Sequence, residues 1–546
     1  MDSEPEAGGT EAEVEVEVEV DEATGLVKRR TPLPYPVGPP TLAAILDEPL
    51  ERFPERIALI DGERQWTFAE LDRCVDQAAT ALASLGVGPG DRVAWSLPNC
   101  ADVPIGFLAT QRLTAVWLGV NLNLAPREKS HLLDDSQACL WITADDATAA
   151  SNSTAFKGTV ISESAYNDAV STADPASAPR PDIDPHAPAA IAYTSGTTGA
   201  PKGAVHSQHN LLWPGLITLS THPPKPTDRQ GTPLAHTILN MLILGVVSAW
   251  TRGTTGVVLH RGDPEGFCAE VARHRLTRTT LVPAQLHDLV LHRGVDPGDL
   301  ASLESILVGG AATPANTRRA FAEKFDIRAL MGYGLSEAPT GIVRESIHEP
   351  IDDSATGYAL DLLEVVIVDE GDRELAAGQP GEICLRPTTA GPWAQCWTPT
   401  MGYWRRPDAT RELLRGNVLH TGDIGMLDDN KRLTVTGRRS ELIIRGGANV
   451  YPFEVEQVLL DHPEVLEAAV YGIADERLGE QVAAAVVTAG LELDTAALRE
   501  FLAGRLARYK IPDHISVLDS LPRNSMGKVQ KSELPMPADP LADELV

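Results

Sequence analysis

"YTSGTTGAPKG", residues 193–203, sets three glycines, a run of hydroxyl side chains and one lysine directly after the short apolar stretch "AAIAYT" (189–194). Gly196, Gly199 and Gly203 let the backbone approach an anion closely and turn its N–H groups inward. Thr194, Ser195, Thr197 and Thr198 add hydroxyl donors, and Lys202 adds a cation. A phosphate is the ligand that such a strand-then-loop arrangement suits. The stretch is not a Walker A loop, which needs Gly before its Lys and Ser or Thr after it; here Pro201 precedes Lys202 and Gly203 follows.

Upstream of the loop, helix-length patterns alternate with short apolar runs. "WTFAELDRCVDQAATALASLG" has helical spacing and "DRVAWSLPN" reads as a buried strand. "ADVPIGFLATQRLTAVWLGV", "REKSHLLDDSQACLWIT" and, downstream, "GFCAEVARHRLTRTTLVPA" repeat the helix-to-strand order. Such alternation predicts an α/β fold on mostly parallel sheets. The stretch "TILNMLILGVVSAW" (237–250) is apolar but too short to span a bilayer, and reads as buried core. Near the end, "DTAALREFLAGRLARY" predicts a helix capped by Asp494, with Leu498, Phe501, Leu502, Leu506 and Tyr509 on one face. It belongs to a small α+β unit.

At 546 residues the chain is long enough for more than one core. With 46 basic against 76 acidic residues its formal charge is −30, which disfavours nucleic acid as a partner. Part of that charge lies in "EAEVEVEVEVDE" (11–22), whose dense like charges predict a solvated, disordered tail. Three regions are expected: an acidic tail over 1–26, a large domain over 27–436 and a small C-terminal domain over 437–546. Deleting residues 1–24 should leave turnover unchanged. The six cysteines form no C-x-x-C pair, the histidines form no metal-ligand cluster, and the acidic N-terminus lacks the features of a signal peptide. A reduced, cytoplasmic protein without an integral membrane segment is expected; the oligomeric state is not legible.

Further motifs follow the loop in order: "MGYGLSEA" (331–338), "TGD" (421–423), "GRRSELIIRGGANVYPFEVE" (437–456) and "LPRNSMGKVQK" (521–531). Together the five stretches resemble the signatures of the adenylate-forming superfamily, which includes acyl-CoA synthetases, firefly-type luciferases and the adenylation domains of peptide synthetases. The resemblance covers roughly residues 40–531.

This resemblance implies that a carboxylic acid attacks the α-phosphate of ATP, giving an acyl-adenylate and pyrophosphate. The first loop, Thr194–Gly199 with Lys202, would hold phosphates. Glu337 would be the acidic ligand of Mg²⁺. Ser336 would present a hydroxyl to the α-phosphate, where relatives more often carry Thr. Tyr333, flanked by Gly332 and Gly334, would stack on adenine; Asp423 would accept from the ribose hydroxyls, and Arg438 would add a further ribose contact. Lys528 would contact the carboxylate and α-phosphate during adenylation. The small domain would then rotate about Ser440, where relatives commonly have Asp or Lys, so that Gly446 and Gly447 make room for a pantetheine arm.

By the same resemblance, the acyl pocket lies beside His236, Thr237 and Asn240, and beside Gly309, Gly310 and Ala311. No Arg or Lys falls in these short segments to pair with a second carboxylate. An apolar monoacid (medium-chain, branched, alicyclic or aryl) is therefore expected rather than a diacid or amino acid, with His236 equally readable as a core histidine. Coenzyme A is the expected acceptor, since too few residues follow Lys528 for a carrier domain. A ligase loading a separate carrier protein and a luciferase-like oxidation reuse the same parts and stay open. A nucleotide-binding regulatory protein is the non-enzymatic alternative.

Overall fold

The computed structural model describes residues 19–28, 34–152, 156–194, 201–311, 313–339, 341–351, 356–360, 362–475, 477–488, 493–523 and 529–536. Ser195–Gly199 and Lys528 lie outside them.

The helix expected after Trp66 runs over Phe68–Ser84. Thr67 caps it by accepting from the Glu70 N–H, while the Glu70 carboxylate accepts from the Thr67 N–H, a reciprocal capping box. Its Leu71, Val75, Ala78, Ala79 and Leu82 are buried. The helix–strand pairs read upstream of the loop follow: Asp102–Arg112 with Val116–Gly119, then Pro126–Ser136 with Leu140–Thr143. These strands join Arg92–Ser96 and Pro188–Thr194 in a seven-stranded sheet, parallel through that half. Lys202–Ser207 closes back antiparallel on Pro188–Thr194, pairing Thr194 with Lys202. The loop thus bridges two hydrogen-bonded strands, which fixes both of its ends.

A thirteen-stranded sheet builds the rest of the large domain. Ile57–Asp61, Thr255–Val258, Arg229–Gly231, Arg278–Leu281, Ser305–Val308 and Ala329–Tyr333 run parallel, joined by long crossovers. From Ala329–Tyr333 outward the sheet continues antiparallel through Val343–Arg344, Gly357–Ala359, Arg432–Arg438, Leu419–Leu427, Gly381–Pro387 and Leu363–Val368. The expectation of mostly parallel sheets therefore holds for part of each sheet only. Several of the antiparallel strands are joined by turns too short for a crossover, and short turns permit antiparallel pairing alone.

The main core gathers Trp95, Trp117, Trp213 and Trp250, all fully buried. A second core around Phe267, Leu281, Ile306 and Phe321 belongs to the parallel half of the large sheet. The apolar stretch 237–250 is indeed core, formed by short helical pieces with a kink at Gly245. Among the described residues no helix is long and apolar enough to cross a membrane.

The C-terminal unit has a core of its own, made of Ile443, Val450, Val455, Leu459, Val482, Val486, Leu498 and Leu502 among others. Asp494 caps its helix Thr495–Ala503 by accepting from Ala496 and Ala497. That helix stops at Gly504, so the expected apolar face overshoots: Leu506 lies beyond it, and Tyr509 is exposed.

One expectation is overturned at the N-terminus. Residues 19–26, placed in the disordered tail, form a tight turn docked on the large domain. Asp21 accepts from the Ala23 and Thr24 N–H groups and the Thr24 hydroxyl, and Val20 bridges Val27. The Val27 N–H donates to Met401 O at 2.8 Å, the Arg405 N–H to Thr24 O at 2.6 Å, and the Thr410 hydroxyl to Gly25 O at 2.7 Å. Val20, Leu26 and Val27 are buried. The alternation of acids and valines masked this: where the acids give way to "ATGLV", the apolar residues find a surface to cover.

Candidate active site

A cavity of ≈ 1040 Å³ opens between the large sheet, the helix that begins at Trp213 and the start of the C-terminal unit. Thr194, Lys202, Gly309, Gly310, Ala311, Gly332, Tyr333, Gly334, Ser336, Glu337, Asn240, Asp423, Arg438 and Ser440 all line it. Motifs more than two hundred residues apart in the chain thus meet on one wall. Strand ends deliver them: Tyr333 ends its strand, while Asp423 and Arg438 face each other across the antiparallel pair Leu419–Leu427 and Arg432–Arg438.

At one end of the cavity the polar groups hold one another. The Tyr333 hydroxyl donates to Asp423 Oδ2 at 2.7 Å, and Arg438 Nε stands 3.0 Å from Asp423 Oδ1. Burial and the Asp423 charge push the Tyr333 phenol well above its ordinary range, so it stays a donor. Burial works against the charged form of Arg438, but Asp423, Glu441 and Glu337 outweigh it and raise its pKa.

The strand carrying Asp423 has a support that the sequence did not reveal. Glu382 accepts from the Gly422 N–H at 3.0 Å, meets His420 Nδ1 at 3.3 Å and pairs with Arg415 at 3.2 Å. Burial alone would raise the Glu382 carboxyl; His420, the Gly422 N–H and Arg415 together bring it below the usual range. With Cys384 this makes a buried Glu–Cys–His group, but its carboxylate already has guanidinium and N–H partners.

Glu337 has its own partner, Tyr403, whose hydroxyl donates to Oε1 at 2.8 Å. Glu337 is buried, and the Lys202 ammonium sits 5.3 Å from the centroid of the Tyr403 ring. Tyr403 lies in the segment clamped by the N-terminal turn, where Arg405 N donates to Thr24 O. No signal in the sequence near Tyr403 singles it out. The Ser336 hydroxyl accepts from Asn240 Nδ2 at 3.1 Å, which links the expected acyl and phosphate residues.

Two residues stand elsewhere than expected. His236 is fully buried and, like Thr237, off the cavity wall. Asn99 explains this: its carbonyl accepts from the His236 N–H at 2.8 Å and its amide donates to Leu234 O at 3.0 Å, turning the segment inward. Gly119 packs so close that a Cβ there would overlap the carbonyl oxygen of Thr237. His236 is thus a core histidine, held neutral near a pKa of about 4, chiefly by burial. Gly446 and Gly447, expected at the site only after the C-terminal unit rotates, lie off the cavity in this arrangement, at the turn between Ile443–Arg445 and Ala448–Val450. Their φ values of +58° and +83° are those a two-residue hairpin turn demands, which accounts for both glycines locally.

The other end of the cavity carries the largest surprise. In-register pairing puts Gln230, Arg278, Thr280, Ser305, Leu307, Leu330, Gly332 and Arg344 on one face of the large sheet, and all eight line the cavity. The short acyl-pocket segments carry no Arg or Lys, yet two arginines from elsewhere in the chain line the cavity. Arg278 and Arg344 lie outside the short motif segments in sequence, and only strand pairing brings them to the same wall.

Lys528 lies outside the described residues. The same terminal motif contributes Lys531, which pairs with Glu441 at 2.8 Å and Glu456 at 3.0 Å. Glu441, Glu456 and Phe453 line the cavity, so the C-terminal unit covers its nucleotide end.

Comparisons with known proteins agree with this geometry. The description "AMP-binding enzyme" matches residues 46–404, and "AMP-binding enzyme C-terminal domain" matches residues 454–528. The chain is 35% identical over 495 residues to 2-succinylbenzoate–CoA ligase of Geobacillus kaustophilus and 31% over 493 residues to indoleacetate–CoA ligase of Aromatoleum aromaticum. Each alignment covers 88% of this chain and 95% of the relative. Among solved structures, ATP-bound MatB from Rhodopseudomonas palustris superposes with a TM-score of 0.81 at 28% identity, covering 90% of this chain and 97% of that one. The chain therefore belongs to the AMP-binding enzyme family, as an AMP-forming acid–thiol ligase of the adenylate-forming acyl-CoA synthetase superfamily.

Proposed function

We propose that this enzyme activates a carboxylic acid with ATP and transfers the acyl group to coenzyme A. The observation that carries the reading is that Asp423, Tyr333, Arg438, Ser336 and Glu337 line the same cavity as the apolar Ile217, Met241, Leu244, Leu307 and Leu330. The acid's oxygen attacks the α-phosphorus of ATP, and pyrophosphate leaves. The coenzyme A thiol gives up its proton to solvent, and the thiolate then attacks the acyl carbonyl carbon, expelling AMP.

In the first step Asp423 accepts from the ribose hydroxyls, while Arg438 and Tyr333 keep its carboxylate aimed. Ser336, oriented by Asn240, donates to the α-phosphate. Glu337 suits Mg²⁺: one carboxylate oxygen is taken by Tyr403, and the other, Oε2, is a hard ligand without a hydrogen-bond partner among the described residues. When bound, the ion neutralises charge on the phosphates. Fixed dipoles and cations aimed in advance at developing charge are the main catalytic resource of such a site. Lys528 supplies the cation for the first half-reaction, Ser440 is the pivot on which the C-terminal unit turns between halves, and the Gly446–Gly447 turn admits the pantetheine arm in the second.

The body of the acid is apolar, an aliphatic, alicyclic or aryl spacer, because Ile217, Ile238, Met241, Leu244, Leu307 and Leu330 line its end of the cavity. The testing experiment is pyrophosphate release from Mg-ATP across a panel of acids, with and without coenzyme A. Release that turns over only with coenzyme A, with thioester accumulating, is the expected result. Release indifferent to coenzyme A, without thioester, would refute the acceptor.

A further inference from the structure

We infer that the acid this enzyme activates carries a second carboxylate, received by Arg278 and Arg344 on the sheet wall of the cavity. The inference rests on the acyl-CoA ligase reading and adds the substrate class to it.

Arg278 opens the strand Arg278–Leu281 and pairs on either side with Gln230 and Ser305, four residues back from Gly309. That is about 13 Å of strand. Arg344 enters from the antiparallel strand Val343–Arg344, three places over in the sheet, where it pairs with Gly332. The register sets Arg344 level with Gly309 and Arg278 four residues along the strands from it, and both side chains lie on the face that lines the cavity. Burial first, then Arg278, Arg344 and Arg252, disfavours protonation of His222, and burial and Arg252, with Arg344 adding least, lower the pKa of Arg278.

The acids near this group are already engaged. Asp228 holds Arg252 in a fully buried pair at 2.7 Å, and Glu304 holds Lys225 at 2.6 Å. Neither Arg278 nor Arg344 makes an ion pair or side-chain hydrogen bond among the described residues, and Arg278 Nε is buried without a partner. In a chain of formal charge −30 this is not for want of carboxylates. Two guanidiniums, partly stripped of water and facing a cavity, form a receptor for an anion. Their planar forks match the two oxygens of a carboxylate. A spacer of apolar character fits between these guanidiniums and Ser336, where the reacting carboxyl lies.

The test measures kcat/KM for coenzyme A thioester formation by the full chain with Mg-ATP, using α,ω-diacids from glutarate to sebacate and the monomethyl ester of each. Wild type, Arg278→Gln and Arg344→Gln are compared. At least one diacid is expected to beat its own half-ester by about tenfold or more, since a site built around a polar group discriminates strongly against analogues lacking it. Each substitution should collapse that ratio toward one, through KM for the diacid. The ratio compares two acids on one protein, so a poorly folded variant lowers both alike and leaves it unchanged. Half-esters that equal or surpass the diacids at every length, or a ratio indifferent to both substitutions, would overturn the inference while leaving the ligase reading intact. Absence of pyrophosphate release with every diacid, half-ester and monoacid would bring down the ligase reading and this inference with it.

Discussion

The two ends of the cavity treat charge in opposite ways. At the nucleotide end the polar groups are paired before any ligand arrives: Tyr333 and Arg438 with Asp423, Tyr403 with Glu337, Asn240 with Ser336. At the acyl end Arg278 and Arg344 make no ion pair among the described residues, and the buried Gln230 Oε1 has no hydrogen-bond partner among them. Internal pairing fixes orientation, which suits a reaction whose transition state is the same for every acid. Unpaired groups leave their desolvation cost uncompensated until a ligand supplies the partner, which suits discrimination among acids. One end is built for chemistry and the other for choice.

The largest effect is expected at Lys528, which serves the chemistry alone. Lys528→Ala should cut acyl-adenylate formation by orders of magnitude, while thioester formation from supplied acyl-adenylate survives. Measuring the two half-reactions separately checks this; equal losses in both would remove the residue's assigned role and with it one reason to separate the two ends.

How much of this was legible in the sequence follows the same division. Tyr333, Ser336, Glu337, Asp423 and Arg438 sit in compact local motifs, so each position could be named before its neighbours in space were known. Their supports could not. Tyr403 meets Glu337 across 66 residues, and Glu382 meets Gly422 across 40, with no local pattern marking either partner. The acyl wall was misread for a related reason. Arg278 looks like an ordinary charge at a strand start, and only the parallel register with Gln230 and Ser305 turns it toward the cavity. The helices and parallel strands were readable because periodicity and capping are local, as at Thr67 and Asp494. The antiparallel half of the large sheet was not, because strands such as Val343–Arg344 and Gly357–Ala359 are too short for an alternating pattern to show.

Asp423→Ala comes next. It removes the acceptor that Tyr333 and Arg438 share and leaves two donors facing a void, a loss on the order of 3 kcal/mol or about a hundredfold in rate. KM for ATP should carry much of it, and the ratio of diacid to half-ester should stay as in wild type. A shift in that ratio would show that the two ends are coupled rather than separate. Tyr403→Phe should act more weakly and more narrowly. It frees Glu337 Oε1 without moving the carboxylate far, so a fall of about tenfold in kcat is expected, in line with the loss of one charge-assisted hydrogen bond. A titration of Mg²⁺ against turnover is the direct check: the concentration giving half-maximal rate should rise. An unchanged titration would mean that Tyr403 merely fills space.

The N-terminal turn gives the smallest effect and the finest test of the contrast. Its bonds run to Met401, Arg405 and Thr410, the residues that flank Tyr403, and none reaches the acyl wall. Removing residues 1–18 should change nothing measurable. Removing 1–28 uncovers the surface that Val20, Leu26 and Val27 bury, at a cost of about 1.5 kcal/mol or more for each large side chain exposed, and unties the 401–411 segment. Turnover should then fall severalfold and the melting temperature by a few degrees. The Mg²⁺ titration should shift in the direction seen for Tyr403→Phe, while preference among acids stays put. If the longer deletion were as active and as stable as the shorter one, the turn would be a passenger. If it altered acid preference, the separation of the two ends would not hold, because a clamp that touches only the Glu337 side would be reaching Arg278 and Arg344 through the body of the sheet.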